Sequence, residues 1–247
     1  MKTKKSVKKQ LKGVPQVSVL LSIFLILLLT WSCQKDLEQG GLSGQWPILK
    51  HYDQDHVDRI ALPLGGIGTG TVSLGGRGNL MDWEIMNRPA KDYNPGPRFE
   101  IAPFFVLFTE NEGHRDTRLL EGPSATSEES QYSSLPSVTN HGMPRFEENT
   151  FDAAYPFGQV NLYHSGAPVS VSIKGFNPLV PADAQKSGIP IAVLEFELTN
   201  ITTHDINAAI CFSIQNFIGD DGRFGVSAEN INEYGKDDNL SGIFMKS

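Results

Sequence analysis

The sequence has few of the residues and motifs that mark most catalytic and metal sites. Only two of its 247 residues are cysteines, and its six histidines form neither an H-E-x-x-H motif nor a close pair, so zinc is not predicted. It contains no G-x-S-x-G nucleophile elbow. No stretch follows the period of an amphipathic helix for more than a turn or two. We therefore predict no metal, no cofactor and no helical domain within this chain.

The N-terminal segment has the order of a secretion signal. Residues 1–32 contain six lysines and no acidic residue, and residues 17–29 are apolar apart from Ser18 and Ser22. A basic start followed by a short apolar run is typical of a signal peptide, and the run is short for a membrane span. Ser32–Cys33 resembles the lipobox of bacterial lipoproteins, so we predict lipidation of Cys33 and a tether over residues 33–45. Ordinary cleavage and an uncleaved anchor are the alternatives.

The charge balance limits the partners of the mature chain. Without residues 1–32 the chain has 15 basic and 28 acidic residues, a net charge of −13. Such a surface argues against nucleic acid and against anionic lipid as partners. The signal-like segment and the lipobox at Cys33 predict a location at the bacterial cell envelope, periplasm-facing or surface, with membrane attachment through the lipid alone. Cys211 is predicted to be a buried structural thiol, because it lies in an apolar stretch.

Alternation with a period of two dominates the rest of the chain. It occurs together with turn residues and predicts an all-β antiparallel β-sandwich over residues 46–247. Residues 109–150 are polar and interrupted by proline, and are predicted to form a long loop. The final "NLSGIFMKS" has the pattern of a strand beginning, so we expect the sandwich to be incomplete and the chain to be a fragment of a longer protein. The predicted strands lie within residues 99–108, 169–173, 191–200 and 206–217.

Residues 60–80 are dense in glycine, which raises the possibility of a phosphate-binding loop. The dinucleotide motif G-x-G-x-x-G fits at Gly66 and Gly68, but Thr71 stands at its third position. No G-K-[ST] follows, and the next residues favour a strand over a helix. We therefore predict tight turns, in which glycine supplies positive φ or permits a close backbone approach.

Two acidic stretches are candidates for chemistry. "DQDHVD" (53–58) suggests a metal site, but an EF-hand needs glycine where Asp58 stands, so a solvated acidic turn is favoured. On a regular strand Asp82 and Glu84 would share a face, about 6.6 Å apart along the chain. That spacing is close to the separation in retaining glycosidases. No cleft is evident, and a structural role in which they pair with Arg88 or Arg77 is expected instead.

Two long blocks resemble one family. "LPLGGIGTGTVSLGGRGNLMDWEIMNRP" (62–89) is similar to the N-terminal signature of glycoside hydrolase family 116, which includes the non-lysosomal β-glucosylceramidases and bacterial β-glucosidases. Residues 143–200, from "MPRFEENTFDAAYPFG" through "FNP" to "LEFELTN", are similar to a second stretch of that domain. The resemblance covers residues 57–217 approximately.

The resemblance implies a β-sandwich that precedes a helical (α/α)6 barrel in a retaining enzyme acting on β-glucosides or β-xylosides. The family's nucleophile and acid/base residues lie in the barrel, so no catalytic residue is transferred to this chain. The residues that match the signature are expected to be structural or to lie at a domain interface: Gly65, Gly66, Gly68, Gly70, Arg77, Asp82, Trp83, Glu84, Asn87 and Arg88.

The predicted function is thus the N-terminal part of a retaining β-glycosidase, inactive by itself. Its expected partners are the helical barrel and, in the parent enzyme, a carbohydrate or glycoside substrate. The alternative is a lipid-anchored, non-catalytic sandwich that binds carbohydrate. Sugar rings would then stack on exposed aromatic residues, for which Trp46, Trp83, Tyr93 and Tyr155 are the candidates.

Overall fold

The computed structural model describes residues 49–91, 93–95, 102–124, 139–219 and 229–247. The predicted signal peptide, Cys33, the tether and Trp46 lie outside these residues. The described residues form one short helix, α1 (Ala184–Ser187), a 3-10 turn (Gln54–His56) and thirteen strands. These are β1 (Lys50–Tyr52), β2 (Ala61–Leu64), β3 (Thr71–Gly75), β4 (Leu80–Glu84), β5 (Phe104–Asn111), β6 (His114–Leu119), β7 (Glu148–Ala154), β8 (Phe157–Tyr163), β9 (Val169–Phe176), β10 (Val193–Asn200), β11 (Asn207–Ser213), β12 (Ile231–Lys236) and β13 (Ser241–Lys246).

The largest sheet contains five antiparallel strands in the order β1-β7-β8-β9-β10. The alternation of burial is most regular in β9, where buried and half-buried residues alternate along the whole strand. Val169, Val171 and Ile173 fill the core, while the serines between them point to the other face. Period-two alternation therefore predicted this strand correctly.

A second layer packs against this sheet. It contains the three-stranded sheets β2-β3-β4 and β11-β5-β6. A Cβ added at Gly158 would lie 2.5 Å from Leu62 Cδ2, so strands β8 and β2 approach closely where glycine leaves room. The Phe105 and Phe196 rings are 4.8 Å apart and join β5 to β10. The predicted all-β sandwich is confirmed.

Residues 109–150 are not one long loop, and the prediction is wrong for this segment. They include the end of β5, all of β6 and the start of β7. Strand β6, "HRDTRL", lacks the apolar alternation by which the other strands were recognised, because it lies at the edge of its sheet. Polar cross-strand pairs replace that alternation: Arg115 lies opposite Glu110, and their side chains are 3.0 Å apart.

Cys211 is exposed, which corrects the prediction of a buried thiol. Strand β11 is an edge strand, and Ile210 and Phe212 lie opposite Leu107 and Phe105, on the side of this sheet that faces the core. The Phe212 ring stacks on Phe105 with centroids 4.3 Å apart. Cys211 lies between these two residues, and its side chain therefore points to the opposite face.

Strands β12 and β13 form a two-stranded hairpin of their own. The predicted strand near the end of the chain is thus present as β13. Asn216 fastens the base of the hairpin, because its Nδ2 donates to the carbonyl oxygen of Ile231 and the side-chain oxygen of Asn232. The large apolar side chains of the hairpin, among them Tyr234, Ile243 and Phe244, are exposed.

Candidate functional site

The glycine-rich segment connects two antiparallel strands, β2 and β3. Gly65, Gly68 and Gly70 have φ values of 150°, 76° and 91°, a region that side chains with a Cβ rarely adopt. The connection closes on itself, since Thr69 N and Thr69 Oγ1 both donate to the carbonyl oxygen of Gly66. This is the geometry of tight turns.

The protein itself uses the backbone amides that a phosphate would need. Gly65 N donates to Asn177 Oδ1 at 2.6 Å, and Ile67 N donates to the Ser187 carbonyl oxygen at 2.8 Å. Asn177 Nδ2 also donates to the Pro63 carbonyl oxygen, so one side chain holds the end of β2 and the first residue of the connection. The segment continues into strand β3 and has no helix N-terminus to attract an anion. The geometry therefore does not support a phosphate cradle.

Gly66 and Gly70 are required by close backbone neighbours outside the connection. A Cβ at Gly66 would lie 2.4 Å from the carbonyl oxygen of Ile189, and one at Gly70 would lie 2.9 Å from that of Glu84. At Gly68 the space is open, and only the backbone conformation favours glycine. The glycine connection is thus wedged between strand β4 and the segment after α1.

Strand β4 is irregular where the acidic pair lies. Thr71 pairs with Glu84 but Ser73 pairs with Met81, so the residues between them form a bulge, and Asp82 has a φ of 50°. The regular alternation assumed for Asp82 and Glu84 is therefore interrupted. Both carboxylates nevertheless reach one cation: Lys91 Nζ lies 3.1 Å from Asp82 Oδ2 and 3.1 Å from Glu84 Oε2.

Lys91 lies in the segment that follows β4 and helps to hold this segment against the strand. Glu84 Oε1 also accepts from Ala90 N at 3.1 Å, so Glu84 holds this segment at two points. Hydrogen bonds to Asp82 first and to Glu84 second raise the pKa of Lys91 above its usual value. Lys91 was not predicted as a partner, because nothing in its sequence neighbourhood distinguishes it from other surface lysines.

This arrangement differs from a glycosidase acid pair. A retaining enzyme needs a sugar between its two carboxyl groups, one of which must donate a proton. Here a lysine ammonium contacts both carboxylates, and the Asp82 side chain is only 5% exposed. The geometry supports a structural role for the pair, with Lys91 as the cation that bridges it.

Two hydrogen bonds of Arg77 lie away from this ammonium bridge. Arg77 Nη1 donates to the Pro123 carbonyl oxygen, and the Arg77 carbonyl oxygen accepts from Gly122 N. Arg77 therefore holds the chain that follows β6, although it had been expected as one possible partner of the acidic pair. Arg88 is half-buried, and Asn87 is exposed with a φ of 52°.

Three of the aromatic candidates for sugar stacking lie in the described residues, and they differ in exposure. Trp83 is 9% exposed and contacts Phe217 edge to face, with ring centroids 5.6 Å apart. Tyr93 is half-buried, and its carbonyl oxygen accepts from Trp83 N. Tyr155 is 61% exposed. Trp83 therefore contributes to the core and not to a sugar-binding surface.

The stretch 53–58 contains the exposed 3-10 turn Gln54–His56, and Val57 after it is buried in the core. His56 Nδ1 contacts Asp53 Oδ1, and this hydrogen bond raises the pKa of His56. Across the part of the chain that the structure describes, no three His, Cys, Asp or Glu side chains are grouped as metal ligands. In the same residues no helix is long and apolar enough to span a bilayer.

The comparison with known families settles what the signature segment represents. A family model described as "beta-glucosidase 2, glycosyl-hydrolase family 116 N-term" matches residues 61–247. The chain belongs to this family. It contains a β-rich domain associated with glycoside hydrolases, and the resemblance seen in the sequence is confirmed. The match extends past residue 217 and includes the hairpin β12–β13 of this family 116 domain.

Proposed function

We propose that this family 116 domain is the non-catalytic N-terminal part of a retaining β-glycosidase that acts on glycosides at the cell envelope. The family match carries the proposal, because the matched family is described as an N-terminal domain. The acidic pair supports it: an ammonium group contacts both carboxylates, which leaves no place for a sugar between them. In this proposal a helical barrel supplies the catalytic carboxyl groups and binds the glycoside.

An assay of the full chain with an aryl β-glucoside tests the catalytic part of the proposal. We expect no turnover above the uncatalysed rate, and no difference between the chain and its Asp82→Asn and Glu84→Gln variants. These substitutions are matched, because each replaces a carboxylate by an amide of the same shape. Turnover that Glu84→Gln abolishes would contradict the proposal.

The envelope location rests on the order of charges and apolar residues in residues 1–33, and a separate experiment tests it. Cys33→Ala should lose the mass of the lipid, and the protein should accumulate unprocessed or leave the membrane fraction. Cys211→Ala is the matched control, since Cys211 is the other cysteine of the chain. If Cys33→Ala kept the mass and fractionation of the unchanged chain, lipid attachment at Cys33 would be excluded.

A further inference from the structure

A cavity of about 270 Å³ opens at one end of the sandwich, away from the glycine connection. Three pieces of chain enclose it: the end of the hairpin β5–β6, the turn between β8 and β9, and the connection between β10 and β11. None of its lining residues belongs to the signature segment or to the acidic pair.

The hairpin β5–β6 places four polar side chains on its core-facing side. Thr109 lies opposite Asp116, and Asn111 lies opposite His114, so all four share one face. Leu107 lies on the same face two residues before Thr109 and is part of the hydrophobic core. The inward face therefore changes from apolar to polar where it reaches the cavity. Inward positions of a strand are normally apolar, and exceptions to this pattern are expected at functional sites.

One of these side chains carries an acceptor that lacks a donor. Asn111 Oδ1 is buried, and no hydrogen bond to it is present among the described residues. A buried acceptor without a partner destabilises the folded state, so such atoms need an explanation. Asn111 lines the cavity, so a ligand hydroxyl group can satisfy Oδ1 once the side-chain amide turns toward it.

The opposite wall is held in place by its own hydrogen bonds. Ser165 N and Oγ both donate to Glu147 Oε2, and Ala167 N donates to the His164 carbonyl oxygen. Ile201 N donates to the Pro168 carbonyl oxygen and joins this turn to the connection after β10. Ala167 and Pro168 provide apolar surface against which C–H groups can pack. The cavity is thus preformed on this side.

The charges around the cavity favour a neutral ligand. Arg118 Nε lies 2.6 Å from Asp116 Oδ2 and compensates the one carboxylate of the lining. No lysine or arginine is among the described lining residues, and the imidazole of His114 is the only lining group that can become cationic, so an anion would find no permanent positive charge there. Hydroxyl and amide groups, in contrast, can both donate to and accept from the hydroxyl groups of a polyol.

We propose that this cavity binds a single neutral monosaccharide, whose hydroxyl groups contact Thr109, Asn111 and Asp116 and whose C–H groups pack on Ala167 and Pro168. The volume is below the range of about 300–1,000 Å³ that drug-sized ligands occupy, which favours one sugar ring over an oligosaccharide. The site is separate from hydrolysis and does not depend on the proposed function, because binding is measured without turnover.

Saturation-transfer NMR on the full chain, with D-glucose and D-xylose as probes, tests this proposal. For a ligand of this size we expect saturable binding with Kd on the order of 1 mM. Asn111→Leu should weaken binding at least tenfold, and Thr109→Val, which removes a hydroxyl group and keeps the shape, about threefold or more. Thr117→Val is the matched control, because Thr117 lies on the other face of β6 and is exposed.

Several outcomes would overturn the proposal. One is the absence of a saturable signal with either sugar. Another is binding by Asn111→Leu and Thr109→Val that equals binding by the unchanged chain. A third is a loss of binding in Thr117→Val as large as in Thr109→Val. Tighter binding of glucosamine or glucuronate than of glucose would also contradict it, since the ligand would then be recognised by its charge. Denaturant midpoints of each variant separate loss of the site from loss of the fold.

Discussion

Strand β9 and the hairpin β12–β13 have similar proportions of large apolar residues but opposite environments. Ile173 in β9 is 0% exposed, whereas Ile243 in β13 is 64% exposed. The difference comes from the layers: β9 has a second sheet over its inward face, while the large apolar side chains of the hairpin are exposed in the described residues. Apolar strand residues thus indicate a strand, but only packing decides how much each one stabilises the fold.

The largest expected effect comes from making the same substitution in both regions. Ile173→Ala should lower the free energy of unfolding by about 2–5 kcal/mol, because it removes buried methyl groups and leaves a cavity. Ile243→Ala is the matched control and should change it by less than about 0.5 kcal/mol. Urea unfolding of the full chain measures both. Equal losses would mean that the hairpin is covered in solution.

The same contrast between crowded and open surroundings occurs within the glycine connection, between Gly66 and Gly68. Gly66→Ala should cost about 2–3 kcal/mol, because its Cβ would overlap the Ile189 backbone at 2.4 Å. Gly68→Ala meets open space and should cost on the order of 1 kcal/mol for its left-handed backbone. Gly70→Ala combines both penalties and should resemble Gly66→Ala.

Denaturant melts of the three variants, with a nucleotide titration beside them, check this prediction. Unchanged denaturation midpoints in all three variants would contradict the interpretation that these glycines form tight turns among close neighbours. Saturable nucleotide binding that disappears on substitution would favour the phosphate-binding alternative.

Two lysines extend the comparison to ion pairs. Lys91 and Lys174 each contact two carboxylates, but Asp82 beside Lys91 is buried, whereas Glu195 and Glu197 beside Lys174 are exposed. We expect Lys91→Met to cost about 1 kcal/mol and Lys174→Met less than about 0.5 kcal/mol, since exposed pairs contribute little. Methionine keeps most of the apolar stem in both variants.

The pH dependence of this ion pair has a defined sign. The pKa of Lys91 is raised in the folded chain, so its contribution is complete below the ordinary lysine pKa of about 10.4. It is lost as the pH rises through the raised value. Urea midpoints measured across that range should fall less in Lys91→Met than in the unchanged chain, and an identical fall would argue against the bridge.

The smallest effect concerns an exposed turn. Asp53 raises the pKa of His56 chiefly through their hydrogen bond, so Asp53→Asn should move the imidazole titration to lower pH. Asp58→Asn, in the same turn region, is the control and should move it less. Titration of the His56 ring protons by NMR measures both shifts. A larger shift in Asp58→Asn would show that the turn is arranged differently.

These contrasts also explain which features could be predicted from the sequence. Strands β9 and β10 follow from local alternation, and the turns follow from glycine-rich segments. Strand β6 was missed because its stabilising partners, such as Glu110 opposite Arg115, are found only once the register is known. Lys91 beside Asp82, and the cavity between β6 and the β8–β9 turn, depend on tertiary contacts that carry no local pattern.

Strand β1 shows what such distant pairing means for the growing chain. It pairs with β7, and His51 Nδ1 contacts Asp152 Oδ1, 101 residues later in the sequence. At synthesis rates of about 5–20 residues per second, β1 waits roughly 5–20 s before its partner exists. A short strand with Lys50 and His51 is poorly suited to pair with other sheet edges in that interval. The first described strand therefore stays unpaired until β7 exists, whereas β8, β9 and β10 can each pair with the strand made just before them.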